Sequence, residues 1–338
     1  MDYRSAGVDI DKADGLIGAV KKAAKSTYTP GVLSGVGGFG ACFAVPAGYK
    51  EPVLVSSTDG VGTKILLARE LEDYSGMGFD LLAMNADDVI CAGAKPLFFI
   101  DYIAVGKLDE KQYLDLIDSM ARACRECGVA MIGGETAELP GMYPPGDFDL
   151  AGFTVGVVER SRMLDSKNVR EGDSVIGLLS SGFHSNGFSL VRKVVETAKL
   201  DLRKDYGFGE LGKKLLTPTK LYCHILAEML DEFPGAVRGI AHITGGGIPG
   251  NLNRALPGNL DARIDTASWE TPAEMKFIVE QGGIAKDESY KVFNMGIGMG
   301  LICDSSKEQE ISGFLRKKGA ENRVIGKTVP GNGKIVLV

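Results

Sequence analysis

Long apolar runs are missing from this 338-residue chain, and none approaches the roughly 18 residues that a membrane span needs. The first residues, MDYRSAGVDIDKADG, also lack the basic and apolar regions of a secretory signal. Both absences point to a cytoplasmic protein. No basic face is visible either: 38 basic and 44 acidic residues are interleaved, the net charge is −6 and the pI about 5.3, which argues against a nucleic-acid partner. A disulfide framework is absent. The six cysteines (Cys42, Cys91, Cys124, Cys127, Cys223, Cys303) are scattered, as in a reduced compartment. Histidine is scarce at three residues, which narrows the choice of general base. There is no repeat of 20 to 50 residues.

Glycine, by contrast, is plentiful: 46 residues cluster in short turns, where a backbone can come close to a ligand. With 44% hydrophobic residues and this length, the chain exceeds the roughly 250 residues at which single cores stop growing, so two domains are expected. Context sorts the glycine strings. GVGGFG, from Gly35 to Gly40, fits G-x-G-x-x-G but has neither a strand before it nor a helix after it, and reads as a mobile flap between Pro30 and Pro46. GFGELGK resembles a phosphate loop but carries Lys214 where a metal-binding hydroxyl should stand, and reads as a surface loop. HITGGG, His242 to Gly247, follows an apolar run and precedes NLNRAL. It marks a strand turning into a helix, with free N–H groups aimed at an anion.

Along the chain we expect an early helix (ADGLIGAVKKAAKS), the flap, and a strand over 52–57. A helix over 79–91 then leads to the strand LFFIDYIAVG, apolar on both faces and so in need of cover on both. The helix DEKQYLDLIDSMARACRECG ends on Gly128 as a C-cap, which leaves Cys124 and Cys127 at the wrong end for a redox pair; two packed thiols are expected. VAMIGGETAELPGMY and DLAGFTVGVVE supply further strands. The charged stretch RSRMLDSKNVREGD is the linker candidate, dividing the chain into 1–165 and 166–338. SVIGLLSSGFHSNGFSLVRKVVE then reads strand, turn, helix.

The chemistry begins at DGVGTK, residues 59–64. Asp59 stands at a strand end and suits a hard cation; Gly60, Thr63 and Lys64 at a helix start suit phosphates. An Asp-Gly turn beside a surface lysine would look the same. On the helix over 79–91, Asn85 and Asp88 fall three apart beside the apolar stripe, aimed at a cleft, whereas Asp87 points elsewhere and is expected in solvent. Glu135, after Gly133 and Gly134, adds a carboxylate at a strand end. Three acids at three element ends suggest a magnesium-nucleotide site.

Taken in order, AGVDID, GGFGACFAVP, STDGVGTK, GAKPLFFIDYIAVGKL, GGETAELPGMY, AGFTVGVVE, SSGFHSNGFSLVRK, AHITGGG and FNMGIGMG resemble the phosphoribosylformylglycinamidine cyclo-ligase (aminoimidazole ribonucleotide synthetase) family over nearly the whole chain. The resemblance implies a two-domain α+β fold: an N-terminal mixed sheet with helices that pairs in a homodimer, and a C-terminal α+β domain completing the active site. It implies ATP and Mg2+, leaves a K+ requirement open, and implies formylglycinamidine ribonucleotide as substrate in purine biosynthesis. By motif position, nucleotide and metal would involve Asp59, Lys64 and Asp88, joined by Lys21, Gly37, Gly38, Gly60, Thr63, Asn85 and Glu135. The metal ligands would be Asp59 and Asp88. The family often reads Asn-Asp where this chain reads Asp87-Asp88, so Asp87 is not assigned as a ligand.

Closing an imidazole requires loss of an amide oxygen, a poor leaving group until it is phosphorylated. Positioning and charge neutralisation are most of what a protein supplies to that transfer. His224, inside KLYCHILAEML, reads as a packed residue. His184 and His242 each stand beside a glycine turn. Ser181, Gly182, Ser185 and Asn186 around His184, with Thr244, Gly245 and Gly246 after His242, could hold phosphate or sugar hydroxyls. His184, His242 and Lys21 are the catalytic candidates. Other readings are a formylglycinamidine ribonucleotide synthetase subunit, more remotely thiamine-monophosphate kinase or selenophosphate synthetase, and outside enzymes a non-catalytic nucleotide-binding scaffold.

Overall fold

The computed structural model of the chain describes residues 10–338; residues 6–9 of the AGVDID string lie outside them. In the N-terminal half, α1 (Ile10–Lys25) is followed by two short antiparallel strands, β1 (Val32–Ser34) and β2 (Cys42–Phe43), which bracket the irregular glycine flap. Next come β3 (Pro52–Gly60), α2 (Lys64–Leu71), α3 (Met77–Cys91), β4 (Lys95–Val105), α4 (Glu110–Cys127), β5 (Ala130–Glu138) and β6 (Phe148–Glu159). The four long strands form one mixed sheet in the order β3-β6-β4-β5, with β4 and β5 parallel and the other pairs antiparallel.

Local chemistry accounts for these elements. The Asp109 side chain accepts the Gln112 N–H at the start of α4, and Gly128 ends the helix in the left-handed region at φ 65°. Helices α3 and α4 cover one face of the sheet. They cross so closely that a Cβ on Gly78 would lie 2.0 Å from the Met120 nitrogen, and only glycine fits there. The opposite face is covered within one chain only in part, where Phe43 of β2 packs against Phe98 with ring centroids 5.3 Å apart. Leu54 is 60% and Phe153 43% exposed there, so the two-sided cover expected for the strand over 97–106 is complete on one side and partial on the other.

The charged stretch after β6 forms two short 3-10 turns. The C-terminal half then contains β7 (Ser174–Leu179), α5 (Phe188–Thr197), α6 (Leu211–Leu215), α7 (Cys223–Glu232), β8 (Val237–His242), α8 (Gly247–Leu252), β9 (Leu260–Ile264), α9 (Ala273–Gln281), α10 (Lys286–Val292), β10 (Ile297–Cys303), α11 (Glu308–Lys317), β11 (Asn322–Pro330) and β12 (Ile335–Leu337). Its six-stranded sheet runs β12-β9-β11-β7-β10-β8, antiparallel except for β12 with β9. Strands β8 and β10 are buried along their whole length. The GFGELGK string is a loop only in part: its last residues enter α6, and Gly212 is buried.

Helix α3 joins the halves, and one expectation is corrected here. Asp87 is not solvated. It is fully buried, and its carboxylate accepts the N–H groups of Tyr222 (3.1 Å) and Cys223 (2.7 Å) at the start of α7. Asp80, two turns earlier on the same side, is buried against Lys64 and Thr219. The polar stripe of α3 meets the C-terminal half, not water.

Candidate active site

Asp59 and Gly60 end β3 at the edge of the sheet nearest the C-terminal half. The Asn85 side-chain amide, anchored on the Leu81 carbonyl, donates to the Asp59 carbonyl at 3.3 Å. One turn further along α3, the half-exposed Asp88 places Oδ1 3.0 Å from Nδ1 of His242, the last residue of β8. The His242 ring is buried, and its Nε2 has no protein partner. Burial alone would lower the His242 pKa. The Asp88 hydrogen bond and the charges of Asp87, Asp88 and Asp59 outweigh it, and the pKa rises above its ordinary value. Asp59 is pushed up by burial and, further, by the Asp88 charge. Asp87 rises to about 7, chiefly through burial.

Carboxylates therefore outnumber the one imidazole, and the Asp88 charge disfavours ionisation of Asp59. Hard oxygen donors in that state fit a divalent cation whose shell is completed by phosphate oxygens.

Two glycine turns converge on the same edge. The SSGFHSNG and TGGG segments are tied by the Gly245 N–H donating to Asn186 Oδ1 at 3.1 Å. Asn251, a residue without a sequence signal, donates to the carbonyls of Thr244, Gly245 and Gly247 and so shapes the second turn. Gly246 stands at φ 100°. Asn294 does the same for the first turn, donating to the Gly182 carbonyl and accepting the Gly296 N–H. Ser181 Oγ donates to the Pro218 carbonyl, Ser185 pairs with Thr219 at 3.1 Å, and Thr63 pairs with Ser189 at 3.1 Å.

Two candidates stand elsewhere than expected. Lys64 faces no open site: its buried ammonium lies 2.9 and 2.8 Å from the two Asp80 oxygens and donates to the carbonyls of His184 and Thr217, so it is a joint between the halves. His184 is also buried, at 1% exposure. Its Nε2 accepts the Ser181 N–H at 3.2 Å, which puts any proton of the neutral ring on Nδ1, and burial holds its pKa well below the ordinary value. A ring so enclosed shapes the turn; the His242 ring is buried as well, and the exposed group of the Asp88–His242 pair is the Asp88 carboxylate.

The other edge of the N-terminal sheet holds a cavity of about 220 Å³ lined by Leu16, Val20, Tyr113, Ile117 and Met131, with Asp101 among them and Val36 of the flap at its rim. Burial pushes Asp101 up to about 7. A Cβ on Gly37 would lie 3.1 Å from the Lys21 ammonium, so Lys21 reaches the flap; Gly38 follows it, and Phe39 is fully exposed at the tip. Glu135 is exposed on β5 beside this cavity. Strands β3 and β5 are at opposite edges, three strand spacings or roughly 14 Å apart. The three acids read together from the sequence are thus not one cluster within a chain: Asp59 and Asp88 meet, and Glu135 does not join them.

The fold is shared with proteins of known structure. A thiamine-monophosphate kinase from Stenotrophomonas maltophilia superposes with a TM-score of 0.67 at 17% identity, covering 95% of each chain. The hydrogenase maturation protein HypE in complex with ATP gives 0.69 at 15% identity over 96% of this chain and 90% of that one. The models of AIR synthase related protein match residues 40–158 (N-terminal domain) and 170–338 (C-terminal domain), which defines the class as AIR synthase-related. The phosphoribosylformylglycinamidine cyclo-ligases of Burkholderia ambifaria (strain MC40-6) and Burkholderia multivorans (strain ATCC 17616 / 249) are each 48% identical over 326 residues, 96% of this chain and 92% of theirs. The chain belongs to the phosphoribosylformylglycinamidine cyclo-ligase family.

Proposed function

We propose that the protein closes the ring of formylglycinamidine ribonucleotide to 5-aminoimidazole ribonucleotide, converting ATP to ADP and phosphate. The observation that carries this reading is the Asp59–Asp88–His242 constellation at the meeting of two ordered glycine turns, on a chain 48% identical to cyclo-ligases. Phosphoryl transfer to the formyl oxygen converts it into a leaving group. The ribose-bearing nitrogen then attacks the formyl carbon, the C–O bond breaks, and phosphate leaves. Asp88, half-exposed and held by the Nδ1–H of the buried His242, is the group of this pair that reaches the cleft to take the proton released from that nitrogen, and the enclosed His242 ring orients it. Asp59 and the free Asp88 oxygen would hold Mg2+, which when bound neutralises phosphate charge. The glycine turns orient the ribonucleotide phosphate, and the flap covers the nucleotide to keep water from the phosphorylated intermediate.

The adenine of ATP is placed in the apolar cavity beside Asp101. Because that cavity and the acid edge lie at opposite sides of one sheet, the reading includes a homodimer in which the bare sheet faces pair and bring one chain's cavity to the other's acids. The domains are taken as 1–165 and 166–338. The test is direct: purified protein with substrate, ATP and magnesium should release one ADP per ring closed without glutamine or ammonia, and ring closure without ATP would exclude the mechanism. Asp88→Asn should abolish most of that activity, by roughly a hundredfold or more, while leaving the unfolding midpoint unchanged. Full activity in that variant would remove Asp88 and, with it, the constellation.

A further inference from the structure

Three side chains from two distant segments of the sequence meet away from the active site. Cys127 is the last residue of α4, and Cys223 and His224 are the first two of α7. Their ligand atoms all lie within 4.8 Å of one another, the one such histidine, cysteine or carboxylate group of three among the described residues. Cys127 Sγ is 3.7 Å from Nδ1 of His224.

A tetrahedral zinc ion with Zn–S bonds of about 2.3 Å and Zn–N bonds of about 2.0 Å holds sulfur and nitrogen roughly 3.6 Å apart and two sulfurs roughly 3.8 Å apart. The Cys127–His224 separation matches one edge of such a tetrahedron, and the other two separations lie within 4.8 Å, a small adjustment away. Cys223 is buried while Cys127 and His224 are half-buried, which leaves one side open to solvent for a fourth ligand. Asp87 fixes the first turn of α7 by accepting the Cys223 N–H, the kind of outer support that metal ligands require. The C-x-x-C spacing drew attention to the wrong partner: Cys127 turns to Cys223 in the other half, not to Cys124.

We propose that Cys127, Cys223 and His224 bind Zn2+, clipping α4 of the N-terminal half to α7 of the C-terminal half. Binding converts two thiols to thiolates and releases two protons to solvent; nothing is oxidised, and water fills the fourth position. A stabilising clamp is the expected consequence, since an ion that binds only the folded chain raises its stability by mass action.

The experiment uses the reduced, metal-free full chain titrated with Co2+ as a spectroscopic probe, then with Zn2+. One Co2+ per chain should bring a thiolate-to-cobalt charge-transfer band and the visible bands of a tetrahedral ion, and Zn2+ should displace both. Cys127→Ser should cut the charge-transfer intensity to about half or less, since only Cys223 remains as a thiolate, and His224→Gln should weaken binding by at least about a hundredfold, the most that loss of an outer partner costs. Cys124→Ser and Cys42→Ser should bind as the unaltered chain does. Both test positions are half-buried, so the variants should fold, and circular dichroism checks that they have. Absence of the charge-transfer band in the folded chain, or a band of undiminished intensity and affinity in Cys127→Ser, overturns the proposal.

Discussion

Lys64 and Asp80 are buried together, each at 0% side-chain exposure. Burial lowers the lysine pKa and the Asp80 charge counters it. Removing one partner leaves the other charge uncompensated, so Lys64→Met should destabilise the fold by about 3–5 kcal/mol in urea unfolding. Lost activity with an unchanged midpoint would return Lys64 to the phosphates. Asp101 gives a pH dependence. Its carboxyl is raised from 3.8 to about 7 by burial, so between those values the folded chain holds a proton that the unfolded chain has released. Its contribution is complete below about pH 4, is lost as the pH rises toward 7, and is level above that; a difference of this size is worth about 4 kcal/mol. Asp101→Asn should flatten that part of the stability–pH curve, and an unaltered slope would mean that Asp101 is ionised in the folded protein.

At the scale of the element, the flap and α3 behave differently. Gly37 stands at φ +124°, where a side chain is strained, whereas Gly38 has no such constraint and a Cβ there would meet Gly40 O at an ordinary 3.5 Å. Gly37→Ala should therefore slow ring closure several-fold and let ATP hydrolysis run uncoupled, with Gly38→Ala nearly neutral. Hydrogen exchange over residues 33–41 measures the motion: equal protection in the empty and saturated enzyme would leave a static turn. Helix α3 shows why amphipathic reading has limits. Its apolar stripe was legible in Phe79, Leu82, Ala83, Ala86, Val89 and Ile90, and so was the exposed Asp88. Buried polar residues are another matter. Asp80 and Asp87 look like a solvated face until a second domain closes on them.

For the whole molecule, the bare face of the β3-β6-β4-β5 sheet is the feature with the largest consequence. Leu54 and Phe153 project from it, and an apolar sheet face of this kind is buried by pairing. If the chain pairs as proposed, Leu54→Glu should give a monomer in sedimentation velocity and lose ring closure with it, because the proposed nucleotide cavity and the acids then stay on separate edges. A monomeric wild type with full activity would overturn both the dimer and the shared site. No helix among the described residues is long and apolar enough to cross a membrane.

What the sequence determined by itself was local. Strand and helix periodicity, the Gly128 cap and the position of each glycine turn depend on residues close in the chain, where 3.6- and 2-residue periods and backbone sterics act. The motifs, read in order, also carried the family. Tertiary structure alone decided which side chains meet. It paired Asp88 with His242 across 154 positions, enclosed Lys64 and His184, and parted Glu135 from Asp59. It brought Cys127 beside His224 across 97. Such contacts depend on how two separately formed layers dock, and no short-range pattern encodes the direction of a side chain relative to a surface that arrives from another part of the chain.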